Sequence, residues 1–128
     1  MIDAKLRGKI ERGLDELIEH ARKLVDETGV YKRVEENQIR NILEMASSAE
    51  SVKALEVFVQ YQMGRKLPSN FGDGLIEAIE ELKKRSIEIT SEEPDKQKEV
   101  WLTMIRQYLG YLNRYFVYKK KKEGGEIE

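Results

Sequence analysis

The chain has 128 residues, no cysteine and a formal net charge of -1, although Asp, Glu, Lys and Arg together make up 37% of it. This length supports one domain with one hydrophobic core and leaves no room for a separate catalytic module. The absence of cysteine excludes disulfides, thiolate metal ligands and thiol nucleophiles, and it favours a cytoplasmic location. We also expect no signal peptide and no membrane span, because no long apolar run occurs.

Apolar residues recur at intervals of three and four residues, a spacing that predicts helices. The first predicted helix begins near Leu6 and ends at Thr28–Gly29. The second is shorter and runs from a cap at Asn37 to Ser47–Ser48. The third covers Val52–Met63 and is apolar on nearly all sides. Because such a helix is normally buried, we expect the third helix to lie at the centre of the fold.

The second half of the chain predicts two more helices. The Pro, Asn and Gly content of residues 67–74 predicts a loop, and the fourth predicted helix follows at Leu75–Ile89. The fifth follows Pro94, which fits the first turn of a helix, and completes a single domain of residues 1–119. Residues 120–128 lack apolar periodicity and predict a flexible tail. The fold class is therefore all-α, a compact bundle of about five helices with a long C-terminal helix.

Residues that commonly carry catalysis are sparse. His20 is the only histidine, so we interpret it as a surface residue rather than a ligand or base. The pair Glu77 and Glu81 lies on the solvent face of the fourth predicted helix, where chance alone produces such pairs. The segment Gly72–Gly74 precedes a helix but lacks the lysine of a phosphate-binding loop. The sequence thus predicts no enzyme: no catalytic residue, no metal site and no cofactor.

The fifth predicted helix carries an unusually wide apolar face. At about 100° per residue, its apolar and aromatic side chains cover roughly half of the helix circumference. Tyr and Trp at the margins of this face are residue types enriched where proteins meet partners. Two interpretations remain open, a broad contact with the core and a subunit interface that would produce a homodimer. The face consists of Val100, Trp101, Met104, Ile105, Tyr108, Leu109, Tyr111, Leu112, Tyr115, Phe116 and Tyr118.

The other face of the same helix is basic. Between Asp95 and Lys122 the chain has eight basic residues and two acidic ones. Arg106 and Arg114 lie one turn to either side of Gly110, and a glycine inside a helix costs about 1 kcal/mol relative to alanine. Its bare backbone would let a phosphate chain or another helix approach between the two arginines. The alternative interpretation is a solvated, lysine-rich helix end with no ligand.

Three short segments, in their order and spacing, resemble a known family. They are Gln38–Leu43 (QIRNIL), Tyr61–Arg65 (YQMGR) and Leu112–Lys119 (LNRYFVYK), and the similarity extends roughly over residues 34–119. Together they resemble the small subunit of the type III-A CRISPR effector, the Csm complex. This resemblance implies a non-catalytic helical protein, several copies of which line the inner filament of the complex beside the duplex of guide RNA and target RNA in antiviral defence.

The resemblance also implies how such a protein would act. It would contact RNA backbone without reading sequence, while other Csm subunits perform cleavage and signalling. The competing hypothesis is a helical protein–protein adaptor or self-associating bundle with no role in nucleic-acid binding. For the first hypothesis, the basic residues on the three segments and on the fifth helix are the candidate RNA-binding residues. They are Arg40, Arg65, Lys66, Arg106, Arg114 and Lys119.

Overall fold

The computed structural model describes residues 2–127 and confirms the all-helical prediction, since no strand occurs within this part of the chain. The described residues form six α-helices, with 3-10 turns at Val30–Lys32 and Pro94–Lys96. The helices are α1 (Ala4–Glu11), α2 (Leu14–Thr28), α3 (Glu36–Ser48), α4 (Val52–Gly64), α5 (Ser69–Ile89) and α6 (Gln97–Glu123). None of these helices is both long enough and apolar enough to cross a lipid bilayer.

Helix α6 lies at the centre of the bundle and packs against α2, α3 and α5. The wide apolar face predicted for it is therefore largely used inside the chain, in the core. Its longest buried side chains, Tyr108 and Phe116, are at most 2% exposed. Burial of apolar surface of this kind is the main favourable term in folding. The residues of α6 that the core buries are Val100, Leu102, Met104, Ile105, Tyr108, Leu109, Leu112 and Phe116.

The first predicted helix is two helices, and the reason is a tertiary contact. The chain breaks at Arg12–Gly13, between α1 and α2. Gly13 is buried beneath the side chain of Arg85 from α5, and a Cβ atom at position 13 would collide with that guanidinium group. Nη1 of Arg85 also donates a hydrogen bond of 3.5 Å to the carbonyl oxygen of Gly13. A residue 72 positions away in sequence thus packs over the break.

The predicted loop at residues 67–74 is wrong, because α5 already begins at Ser69. Pro68 precedes the first turn, where its missing N–H leaves no hydrogen bond unmade. Gly72 and Gly74 lie within α5, where they allow close packing and form no turn. A Cβ at Gly72 would collide with the side chain of Met63, and one at Gly74 would collide with that of Leu24. They allow α4 and α2 to approach the start of α5.

The cap of α3 differs by two residues from the prediction. The N-cap is Glu35, not Asn37, and it forms a capping box with Gln38. The backbone N–H of Glu35 donates to Oε1 of Gln38 at 3.0 Å. Reciprocal bonds of this kind satisfy backbone donors that the first turn of a helix leaves free. Asn37 consequently keeps its side chain on the surface.

The prediction that the third helix is central is also wrong. Helix α4 lies at the edge of the bundle, against α3 and α5, and buries only Val52, Leu55 and Val59. Val57 is 62% exposed and Tyr61 is 53% exposed. The longer α6 contacts α1, α2, α3 and α5 and occupies the centre, and α4 keeps apolar side chains in solvent.

The end of α6 is ordered further than the sequence indicated. The helix continues to Glu123, through residues predicted to belong to the flexible tail. Nζ of Lys120 donates hydrogen bonds to the carbonyl oxygens of Val34 at 2.8 Å and Tyr31 at 3.4 Å. These bonds attach the last turns of α6 to the segment between α2 and α3, which apolar periodicity cannot indicate.

Candidate nucleic-acid interface

A groove of about 1010 Å³ separates the start of α3 from the end of α4. Its rim is basic, because Arg33, Arg65 and Lys66 contribute side chains that are exposed. The walls are mainly carboxamides, with two aromatic rings and one acidic residue among them. The residues that line the groove are Arg33, Glu35, Asn37, Gln38, Asn41, Phe58, Tyr61, Gln62, Gly64, Arg65 and Lys66.

The end of α4 places Arg65 beside the ring of Tyr61, one helical turn earlier. Nη1 of Arg65 donates a hydrogen bond of 2.9 Å to the hydroxyl of Tyr61, and its guanidinium carbon lies 5.7 Å from the ring centroid. The hydrogen bond to Tyr61 raises the pKa of Arg65, which remains cationic throughout the accessible pH range. The ring and the cation thus form one fixed unit on the groove wall.

Lys66 has a backbone conformation that lysine rarely adopts. Its φ of 98° makes it the one residue other than glycine with positive φ in the part of the chain described here. The N–H of Leu67 donates to the carbonyl oxygen of Gln62 at 2.9 Å and closes the turn around Lys66. A turn of this form normally has glycine at that position. Strained residues of this kind cluster at functional sites.

Two of the three segments from which the sequence predicts a family resemblance meet at this groove. Gln38 and Asn41, from the first segment, line the wall formed by α3. Tyr61, Gln62 and Arg65, from the second, line the wall formed by α4. Of the predicted RNA-binding residues, the groove therefore brings together Arg65 and Lys66. Arg40, between two lining positions on α3, is exposed but does not line the groove.

Arg106 has a structural partner. Its Nε donates to the carbonyl oxygen of Ala46 at 2.9 Å, and one Nη donates to that of Ala49 at 3.0 Å. Both carbonyls belong to the C-terminal end of α3, where the helix has no backbone donors left and where a cation is favoured by the helix dipole. Arg106, which lies on α6, therefore caps the C-terminal end of α3 through its guanidinium group, and that group points into the protein.

The other two predicted RNA-binding residues of α6, Lys119 and Arg114, differ in whether a carboxylate neutralises their charge. Lys119 pairs with Asp26 at 3.5 Å, so a neighbouring carboxylate offsets its charge. Arg114 is exposed, and its guanidinium carbon lies 5.1 Å from the ring centroid of Tyr111. A Cβ at Gly110 would meet no atom within 4 Å, so the glycine faces open space. Of the proposed basic face, Arg114 keeps its cation available to solvent.

Sequence reasoning missed Arg33, Phe58 and Tyr61 as members of the site. Tyr61 belongs to one of the three segments but has no predicted role, and Phe58 belongs to a helix that the sequence predicts to be buried. Both rings are accessible because α4 lies at the edge of the bundle. Arg33 lies in the irregular segment before α3, where no helical pattern exists to mark a face. The signal available was the pairing of aromatic and basic residues within Tyr61–Lys66.

Two smaller pockets contain titratable groups. His20 is exposed, as predicted, and its Nδ1 lies 2.8 Å from the hydroxyl of Tyr108. Burial raises the pKa of that hydroxyl, which stays protonated. In the second pocket, between α4 and α5, partial burial and a hydrogen bond to Glu80 raise the pKa of Glu56 to about 7. Within residues 2–127, no three His, Asp or Glu side chains converge as metal ligands would.

Comparison with known proteins adds no relative to these observations. No protein-family model, no curated protein and no solved structure matches the chain.

Proposed function

We propose that this chain is a non-catalytic, RNA-binding small subunit of a type III-A CRISPR effector, in which the α3–α4 groove contacts RNA backbone. The observation that carries the proposal is the meeting of two family-like segments, Gln38–Leu43 and Tyr61–Arg65, at one groove with a basic rim. Backbone contacts position a nucleic acid without encoding sequence, so little sequence preference is expected. Guide RNA and target RNA are the proposed ligands, and other Csm subunits are the proposed protein partners.

Local charge supports this site although the whole chain is almost neutral. The rim presents Arg33, Arg65 and Lys66, while Glu35 is the one acidic residue in the lining. Neutralisation of phosphates by Lys and Arg releases counterions and provides most of the affinity in sequence-independent binding. Arg40, exposed on the next part of α3, extends the basic surface. Catalysis and signalling, in this proposal, belong to the partner subunits.

A protein-binding adaptor is the alternative function, and one observation favours it. Val57 and Tyr61 expose more than half of their surfaces on the same side of α4. Exposed apolar side chains at helical spacing are typical of surfaces that contact another helix. The adaptor hypothesis predicts protein partners without any associated RNA.

Affinity purification from the organism that encodes the chain distinguishes the two functions. The tagged protein should copurify with other effector subunits and with a small RNA that sequencing identifies as a CRISPR guide. A matched strain should carry Arg33→Ala, Arg65→Ala and Lys66→Ala together, and should recover less RNA per tagged protein. Recovery of protein partners with no RNA above the untagged control would support the adaptor and contradict the proposal.

A further inference from the structure

The aromatic wall of the groove has no role in a purely electrostatic contact. Tyr61 exposes 53% of its surface, even though its hydroxyl accepts a hydrogen bond from Arg65. Phe58 lies beside it, with the ring centroids 6.3 Å apart and the planes inclined by 36°. Phe58 is partly buried against the core, so it supports the Tyr61 ring from within the protein. The exposed ring is thereby held in place, as a stacking surface needs to be.

The opposite wall, formed by α3, carries hydrogen-bonding groups like those along the edge of a nucleobase. Asn37 and Asn41, on α3, present carboxamides that both donate and accept hydrogen bonds, and Gln62, beside Tyr61 on α4, adds a third. Nucleobases carry the same combination of donors and acceptors along their Watson–Crick edges. Carboxamides facing a fixed aromatic ring, beneath a basic rim, are suited to a nucleotide whose base enters the groove while its phosphates stay at the rim.

We infer that the groove binds unpaired RNA, with one base stacked against Tyr61 and the adjoining phosphates on Arg33, Arg65 and Lys66. In a duplex the bases are already stacked and paired, so their faces are not free to stack on the exposed ring of Tyr61. Stacking on aromatic residues tolerates every base, because every base has a π face. This inference rests on the proposed RNA-binding function and specifies that the groove contacts an unpaired stretch of RNA rather than the paired part of the guide and target strands.

Two substitutions at Tyr61 separate stacking from charge. Tyr61→Leu removes the ring but keeps an apolar side chain, whereas Tyr61→Phe keeps the ring and loses the hydroxyl bonded to Arg65. For an unstructured oligouridine at fixed salt, Tyr61→Leu should weaken binding roughly tenfold, the effect expected for one base–aromatic stack. Tyr61→Phe should bind nearly as the parent does. Neither variant should change the affinity for a fully paired RNA duplex of equal length.

The salt dependence distinguishes a failure of this inference from a failure of the proposed function. Tyr61→Leu removes no cation, so its slope of log K against log salt should match that of the parent. Parental oligouridine affinity in Tyr61→Leu would overturn the stacking inference, and would leave the proposed function intact if Arg65→Ala still lowers the slope. Equal losses for oligouridine and duplex would also overturn it.

A spectroscopic measurement on the unaltered protein is independent of any effect of substitution on folding. A single-stranded RNA that contains one 2-aminopurine at its centre should lose fluorescence at saturation, because stacking on an aromatic ring quenches this base. Unchanged fluorescence at every position of the probe along the strand would contradict the inference. Melting curves of both variants, compared with that of the parent, show whether the binding data report folded protein.

Discussion

Lys66 combines an unfavourable backbone with a position at the groove rim. Its φ of 98° lies in the left-handed region, where a residue with a Cβ costs roughly 1–2 kcal/mol. Glycine would relieve this cost, and it is the usual residue at this position of a helix-ending turn. Lysine at this position therefore lowers stability but places a cation beside the groove. A role in binding would explain why lysine occurs here instead of glycine.

Lys66→Gly should consequently separate stability from binding. We expect the free energy of unfolding to rise by about 1 kcal/mol, because the backbone strain is removed. RNA affinity should fall, with the slope of log K against log salt decreasing by about 0.7 for one lost phosphate contact to a single strand. Urea denaturation and RNA titration measure the two effects. Lys66→Asn, which is neutral but tolerates left-handed φ, is the matched control; if both variants bind RNA as the parent does, Lys66 makes no contact.

Glu56 introduces a dependence of stability on pH. Its pKa in the folded protein is about 7, raised from 4.5 first by partial burial and then by Glu80, against the opposing effect of Lys53 and Lys83. The folded state therefore binds this proton more tightly than the unfolded chain. The resulting stabilisation is complete below about pH 4.5 and is lost as the pH rises through about 7.

Glu56→Gln tests this dependence. The variant should unfold at higher temperature than the parent at pH 8, by an amount equivalent to roughly 1 kcal/mol once solvent screening of this open side chain is allowed for. Near pH 4 the two proteins should melt nearly alike, because Glu56 is then protonated in the folded protein and largely protonated in the unfolded chain. Glu77→Gln, on the exposed side of α5, is the control and should show no such change between the two pH values. A constant difference across pH would contradict the assignment.

At the scale of elements, α3 and α6 are held together by one arginine. Arg106→Ala removes two hydrogen bonds to carbonyls at the end of α3 and should lower the free energy of unfolding by about 2–3 kcal/mol, since bonds to charged groups are the stronger ones. Below its melting temperature, the variant should bind RNA with parental affinity. The exposed Arg114→Ala is the stability control. If Arg106→Ala melts at the parental temperature but binds RNA more weakly, Arg106 belongs to the RNA-binding surface and this interpretation is wrong.

Helix α4 leaves an apolar side chain in solvent. If the protein forms the predicted homodimer, we expect this helix to provide the contact. The sequence predicts a dimer from two features, the wide apolar face of α6 and the lack of a polar face on α4, and the first of these is largely buried within the chain. Val57, 62% exposed and outside the groove lining, is the natural contact for a second copy. Light scattering at high protein concentration should give twice the 15.0 kDa chain mass, and Val57→Lys should restore the monomer. Ile87→Lys, 52% exposed on α5, is the control; a parent that remains monomeric contradicts the prediction.

For the molecule as a whole, periodicity predicted the helices but not the contacts that limit them. The helical spacing in 14–28, 36–48 and 97–119 is visible because apolar residues on one face mark what the core buries. The break at Gly13 and the start of α5 at Ser69 are not visible in this way. At Gly13 the neighbouring side chain, Arg85, is distant in sequence, and near the start of α5 the glycine at position 72 leaves room for Met63 of the preceding helix.

The candidate site was predictable only in part, for a related reason. Arg65 and Lys66 could be chosen because they follow a strongly apolar helix and belong to, or adjoin, a recognisable segment. Arg106 appeared equivalent on a helical wheel, but its acceptors come from α3, which a wheel of α6 does not show. The accessibility of Tyr61 depended on which helix occupies the centre of the bundle. That choice is made by competition between α4 and α6 for the core.

The most direct test of the account is the salt dependence of RNA binding in two doubly substituted proteins with equal charge. Arg65→Ala/Lys66→Ala removes two cations from the groove rim. Lys23→Ala/Lys84→Ala removes two lysines whose side chains are 71% and 73% exposed on other helices. For an unstructured single-stranded RNA, the first protein should show a slope of log K against log salt that is smaller by about 1.4, which is two phosphate contacts. The second should keep the parental slope. Equal slopes in the two variants, whether both are reduced or both are parental, would show that the groove is not the RNA-binding site.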